Sequence, residues 1–199
     1  MRREGMQSYP RSLSISVLLL CLLKLMVAPA AAMTQDALWQ ALGGSGHVAL
    51  LRHAIAPGTG DPSNFTIDDC STQRNLSEEG RSQAIRIGAR FKANGIVTAD
   101  VFSSQWCRCL DTARRLGLGE VKPLPILNSF YGRHERRDER TDSLSAWLNE
   151  ANLDEPVIMV THQVNISALT GIYPSSGELV IVRVDRGGTI SVAGTIETD

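Results

Sequence analysis

Two histidines and two arginines lie far apart in this chain, each where an apolar or small-residue run gives way to polar sequence. Leu50-Leu51-Arg52-His53-Ala54 ends one apolar run, and Val157-Ile158-Met159-Val160-Thr161-His162 ends another. Each run has the length and composition of a buried strand. Open α/β sheets gather ligands at the carboxyl ends of their strands, so both imidazoles are expected at one sheet edge. A guanidinium beside one of them suits a site that grips and attacks a phosphoryl group. A third segment, Ser103-Ser104-Gln105-Trp106-Cys107-Arg108-Cys109, reads as a strand end, a turn and the first turn of a helix. Arg108 there would join free backbone N–H groups and the positive end of the helix dipole. Arginine adds two parallel hydrogen bonds to neighbouring oxygens.

These residues need strands and helices to position them, and the two signals alternate. His47–Arg52 is expected as the first strand, after a short helix broken by Gly43-Gly44-Ser45-Gly46. Residues 55–75 form a long loop. Ser77 caps a helix with Glu78 and Glu79 in its first turn and Ala84, Ile87, Gly88 and Phe91 on its apolar face, stopped by Asn94-Gly95. Asp100–Ser103 is a second strand, followed by a helix bearing Leu110, Ala113 and Leu116. After Lys122-Pro123-Leu124-Pro125 a loop is expected. The mixed-charge run Arg133–Arg140 reads as a solvated loop or helix start rather than a substrate rim. Leu144, Trp147, Leu148 and Ala151 mark another helix, Val157–Thr161 a third strand, and a short helix begins near Val164. Glu178–Val184 and Thr189–Ile196 flank Asp185-Arg186-Gly187-Gly188 as a hairpin. The pattern predicts a three-layer α/β/α sandwich, its sheet mostly parallel with an antiparallel edge.

The first 32 of the 199 residues read as a signal peptide. Arg2, Arg3 and Arg11 precede the apolar stretch Leu13–Val27, and Ala28-Pro29-Ala30-Ala31-Ala32 suits cleavage after Ala32 or Ala30. Lys24 within the stretch argues against a membrane span. Cys21 lacks the flanking residues of a lipid-anchored cysteine. Export to a bacterial periplasm, or secretion, follows, with no stable membrane insertion after cleavage. Residues 33–199 would form one domain of net charge about −4, a balance that gives no support for nucleic-acid binding. Cys70, Cys107 and Cys109 survive cleavage. Cys107 and Cys109 are too close in sequence to bridge each other, so Cys70 would pair with one of them, Cys109 being the choice. Three buried thiols are the alternative, and a zinc site is weak without a C-x-x-C spacing.

Leu51-Arg52-His53-Ala54, the Ser103–Ala113 segment and Thr161-His162 resemble the three signature blocks of the histidine phosphatase superfamily, the phosphoglycerate mutase-like fold. The resemblance runs from about Gly46 to Gly171, and Asn75-Leu76-Ser77-Glu78-Glu79-Gly80-Arg81 is similar to a helix-opening stretch of its members. It implies that His53 is the nucleophile and becomes a phosphohistidine. Arg52 and Arg108 would hold phosphate oxygens, and His162 would complete the pocket; beside a phosphate dianion it can be cationic. No metal or other cofactor is implied. Many members carry a glutamate soon after the second arginine block as proton donor, but Leu127-Asn128-Ser129-Phe130 holds no acid. Glu135, Asp138, Asp68 and Asp69 are the candidates from elsewhere. Gln163 stands where the acid-phosphatase branch has aspartate.

Gln163 and Asn165 could contact substrate or cap the short helix. His47 and His134 read as structural or solvated, and Trp106 and Trp147 as packing. The expected function is an exported, metal-independent phosphatase acting on a small phosphomonoester. An envelope phosphosugar is one candidate substrate and a phosphohistidine protein another. A compact exported chain argues against a glycolytic mutase. The rivals are a non-catalytic phosphate- or phosphosugar-binding protein, and a hydrolase holding a metal on His53 and His162.

Overall fold

The computed structural model describes Met1 and residues 33–198; the expected signal peptide lies, Met1 apart, outside the described residues. Among the described residues no helix is long and apolar enough to cross a membrane.

Six strands make one sheet: β1 (His47–Arg52), β2 (Asp100–Ser103), β3 (Val121–Pro123), β4 (Val157–Thr161), β5 (Leu179–Val184) and β6 (Ile190–Ile196), in the order β3-β2-β4-β1-β5-β6. The first four in that order run parallel, and β5 and β6 add the antiparallel edge. Five helices complete it: α1 (Gln35–Leu42), α2 (Glu78–Ala93), α3 (Cys107–Leu116), α4 (Arg137–Glu150) and α5 (Gln163–Thr170).

Strand alternation sends side chains to two cores. Ala49, Leu51, Val101, Ile158 and Val160 pack against Leu38 of α1, Ile87 and Phe91 of α2, and Ala113 and Leu116 of α3. Val48, Leu50, Val157 and Met159 face Leu144 and Leu148 of α4 and Ile166 of α5. The result is the expected α/β/α sandwich. One strand was not expected. Val121–Pro123 pairs with β2 at the sheet edge, the place where a proline lacking an N–H is tolerated.

Two glycines let α2 sit close. Its N-cap Ser77 accepts from the Gly80 N–H at 3.0 Å, and a Cβ on Gly80 would fall 2.0 Å from the Ile55 carbonyl oxygen, just beyond β1. A Cβ on Gly88 would lie 2.1 Å from the Leu116 carbonyl oxygen at the end of α3.

Register fixes the site edge. In the parallel pair β1–β4, Arg52 stands opposite Thr161, and the His53 N–H donates to the Thr161 carbonyl at 3.0 Å. Both histidines therefore leave the sheet at one level.

Candidate active site

His53 and His162 meet at the carboxyl edge with ring centroids 5.5 Å apart, and Arg108 enters between them from the first turn of α3. All three are buried, at 3%, 4% and 3% exposure. The sheet and helix thus bring together three of the four expected catalytic residues, and Arg52 joins them in lining a cavity of about 540 Å³.

His53 Nδ1 lies 2.8 Å from its neighbour's carbonyl, Ala54 O. A carbonyl only accepts, so Nδ1 carries the hydrogen and Nε2 the lone pair. Nε2 accepts from Arg108 Nε at 3.2 Å. Burial, then the Arg108 charge, push the His53 pKa down to about 3, so the imidazole is neutral at ordinary pH.

His162 is set the opposite way round. Its Nδ1 accepts at 3.5 Å from Arg108 Nη2, and its Nε2 donates to Ser104 Oγ at 2.9 Å. Ser104 Oγ in turn donates to Asn128 Oδ1 at 3.2 Å. Without phosphate beside it His162 is neutral: burial first, then Arg108 and His53, hold its pKa well below the usual histidine value.

Arg52 donates through Nη1 to the Pro174 carbonyl at 2.8 Å, while its Nε is buried without a hydrogen-bond partner. A phosphate oxygen would satisfy it. The Cys107 N–H at the start of α3, expected to be free for phosphate, instead donates to Gln73 Oε1 at 2.9 Å. Gln163 lines the cavity and donates to the Pro174 carbonyl at 3.2 Å. Asn165 does not line it; its side chain donates to the Asn128 carbonyl at 3.0 Å from behind.

None of the four candidate proton donors lines the cavity. Glu135 and Asp138 are exposed around the start of α4. Asp69 caps the short turn at Cys70–Thr72, and Asp68 faces a separate cavity.

The disulfide also differs from expectation. Cys70 bridges Cys107, with Cα atoms 5.7 Å apart, and not Cys109. Two residues along a helix turn a side chain by roughly 200°, so Cys109 faces inward while Cys107 faces the loop. Cys109 is fully buried and burial pushes its thiol up to about 12. The bridge removes two of the three sulfurs the zinc reading needed.

Three cavity residues carried no signal of their own in the sequence. Asp61 and Arg74 lie in the long loop 55–75, and Trp106, expected only to pack, stacks on Phe65 with ring centroids 5.0 Å apart and meets His162 edge-to-face with centroids 5.4 Å apart. Asp61 shares that turn-rich loop with Asp68 and Asp69, and its place between Gly60 and Pro62 is the hint the sequence offers for it.

Residues 48–131 match the family model of the histidine phosphatase superfamily, branch 1. That stretch is similar to the histidine phosphatase superfamily. It contains His53 and Arg108 and stops before His162, which β4 delivers. Similar solved structures span this fold almost end to end. The protein histidine phosphatase SixA complexed with tungstate is 16% identical, with a TM-score of 0.55, covering 76% of this chain and 97% of that one. A phosphoserine phosphatase from Entamoeba histolytica in complex with 3-phosphoglyceric acid is 13% identical, with a TM-score of 0.58 and coverages of 77% and 98%. A mycobacterial glucosyl-3-phosphoglycerate phosphatase is 18% identical, with a TM-score of 0.53 and coverages of 75% and 98%. The comparison with curated proteins gave no match.

Proposed function

We propose that this protein is an exported phosphatase that hydrolyses phosphomonoesters through a phosphohistidine at His53 Nε2, without a metal ion. The observation that carries this reading is the fixed His53 tautomer: Nδ1–H is tied to the Ala54 carbonyl, and the Nε2 lone pair points at Arg108 beside the cavity. A buried, neutral, oriented imidazole next to guanidinium groups is a nucleophile facing an anion site.

Arg108 Nε and Nη2 and the open Arg52 Nε receive phosphoryl oxygens. The N–P bond forms as the P–O ester bond breaks, and the electron pair leaves on the ester oxygen. Because Nδ1 keeps its hydrogen, the phosphorylated ring is cationic and is itself a good leaving group. Water then forms the new P–O bond, the P–N pair returns to Nε2, and the water proton passes to phosphate or solvent. Charge is met by arginine and histidine, which is why no metal is invoked.

The test is release of nitrophenolate from p-nitrophenyl phosphate by residues 33–199 in EDTA, beside His53→Ala, with detergent-quenched trapping at alkaline pH of a base-stable, acid-labile phosphoenzyme. Activity and labelling that survive EDTA and vanish in the variant are expected. Phosphate binding without turnover or labelling would move the protein to the non-catalytic reading. Loss of activity in EDTA would favour the metal-dependent one.

A further inference from the structure

Asp61 meets Arg108 end-on. Nη1 donates to Oδ1 at 2.8 Å and Nη2 to Oδ2 at 3.1 Å. Each carboxylate oxygen has a second donor: the Arg74 N–H reaches Oδ1 at 3.1 Å, and Trp106 Nε1 reaches Oδ2 at 3.0 Å. The side chain is 16% exposed. A guanidinium has two usable edges, the end formed by both Nη atoms and the side formed by Nε and one Nη. Here the end is held by Asp61, and the side faces His53 through Nε and His162 through Nη2. A phosphoryl group between the two imidazoles would meet that side edge without displacing the aspartate.

The same four bonds decide what Asp61 does not do. Both of its oxygens accept two hydrogen bonds each, one from a cation, so the group is held as an acceptor. Arg108 keeps its carboxyl below the usual carboxylate range even though burial alone would raise it. Asp61 is also the only carboxylate lining the cavity among the described residues. No carboxylic acid is left facing a leaving group.

We propose that Asp61 is a positioning residue that turns the side edge of Arg108 toward the phosphoryl group, and that the site accordingly serves phosphoryl groups on weakly basic leaving atoms, such as an aryl oxygen or a carboxylate. The inference rests on the phosphatase reading. It favours such leaving groups over the alkoxide of a sugar phosphate, since a positioned general acid contributes about 10²–10⁴-fold and, among the described residues, the one carboxylate lining the cavity is committed to Arg108.

The experiment crosses two proteins with two substrates. Wild type and Asp61→Asn are assayed on p-nitrophenyl phosphate and on an alkyl phosphate, with inorganic phosphate binding measured by calorimetry. Asparagine keeps the size of Asp61 but sets an N–H against a guanidinium donor. Wild type is expected to prefer the aryl ester by at least about 10²-fold. The variant is expected to lose about 10²-fold on any substrate turned over, by the same factor, and to bind phosphate more weakly. A loss confined to the alkyl ester would make Asp61 the acid and overturn the proposal, as would equal wild-type rates on both esters. Should neither ester turn over and no phosphoenzyme form, the phosphatase reading itself fails; unchanged phosphate affinity in the variant would overturn the positioning role on its own. If Asp61→Asn does not fold, Trp106→Phe removes one donor to Asp61 while sparing the fork. It is expected to give a smaller loss that is equal across substrates, and a substrate-selective loss would overturn the proposal.

Discussion

Arg108 Nε donates to His53 Nε2 across 3.2 Å, so the guanidinium placed to receive phosphate oxygens also occupies the lone pair placed to attack. Substrate binding exchanges one acceptor for another on the same N–H, and the nucleophile is freed only as the phosphoryl group arrives. Arg108→Lys keeps the charge but loses the planar fork that serves His53, His162 and Asp61 together. Its kcat/KM on p-nitrophenyl phosphate is expected to fall by about 10²–10³-fold. Steady-state kinetics on variant shown folded by circular dichroism checks this, and a loss under tenfold would contradict it.

His162 presents a lone pair at Nδ1 toward the same space. An oxyanion there would face lone pair against lone pair unless Nδ1 acquires a proton. Binding is therefore expected to raise the His162 pKa from its depressed free-state value and to take up a proton. The affinity for tungstate should weaken as pH rises above neutrality. Calorimetry in two buffers of different ionisation enthalpy reads the proton directly, and a buffer-independent enthalpy would rule the exchange out.

Burying two neutral imidazoles also shapes acid stability. His53 titrates near 3 when folded and near 6.5 when free, so in that window the unfolded chain binds more protons. Stability then falls as pH drops below about 6.5, by about 1.4 kcal/mol per pH unit for a group fully within its window. His162, also depressed, acts in the same direction. His53→Asn removes one titration, and its melting temperature should decline less steeply from pH 6.5 to 4 than that of wild type. Parallel slopes would show that His53 is not the group responsible.

Gly80 and Gly88 separate packing from catalysis. Each has a backbone carbonyl where its Cβ would go, at 2.0 Å from Ile55 and 2.1 Å from Leu116. Alanine at either should cost about 1–3 kcal/mol through overpacking. Gly80→Ala also pushes on Ile55, two residues from His53, and should lower kcat in the folded fraction. Gly88→Ala presses on the far end of α3 and should leave kcat per folded molecule near wild type. Thermal melts paired with active-site titration distinguish the two, and equal kcat values would refute the contrast.

Much of the architecture was readable because its determinants are local. β1 and β4 are unbroken apolar runs, α2 has a serine cap and acidic first turn, and the final hairpin has its Asp-Arg-Gly-Gly turn. β3 was hidden because three residues ending in proline carry almost no periodic signal. His53, Arg108 and His162 could be picked out from strand ends and a helix start. Asp61 and Arg74 could not, since their places depend on how a turn-rich loop folds back over α3. The cysteine pairing turned on helical phase, which distinguishes Cys107 from Cys109 only once the helix boundary is known. The charge of His162 turned on burial and on Arg108, neither of which a single sequence displays.

The separation of the two imidazoles is written in main-chain atoms. Arg52 lies opposite Thr161, and the His53 N–H is fastened to the Thr161 carbonyl. A slip of one residue would displace one ring by about 3.3 Å along the strand and turn it to the other face. What forbids the slip is the alternation that keeps Val48 and Leu50 in one core and Ala49 and Leu51 in the other, whatever their exact apolar type. Val48, Leu51, Ile158 or Val160 can therefore drift among apolar types over evolutionary time while the gap between nucleophile and partner stays constant. For this protein, divergence in the strands is a poor gauge of divergence in chemistry; the loop that brings Asp61 is where substrate preference has room to change.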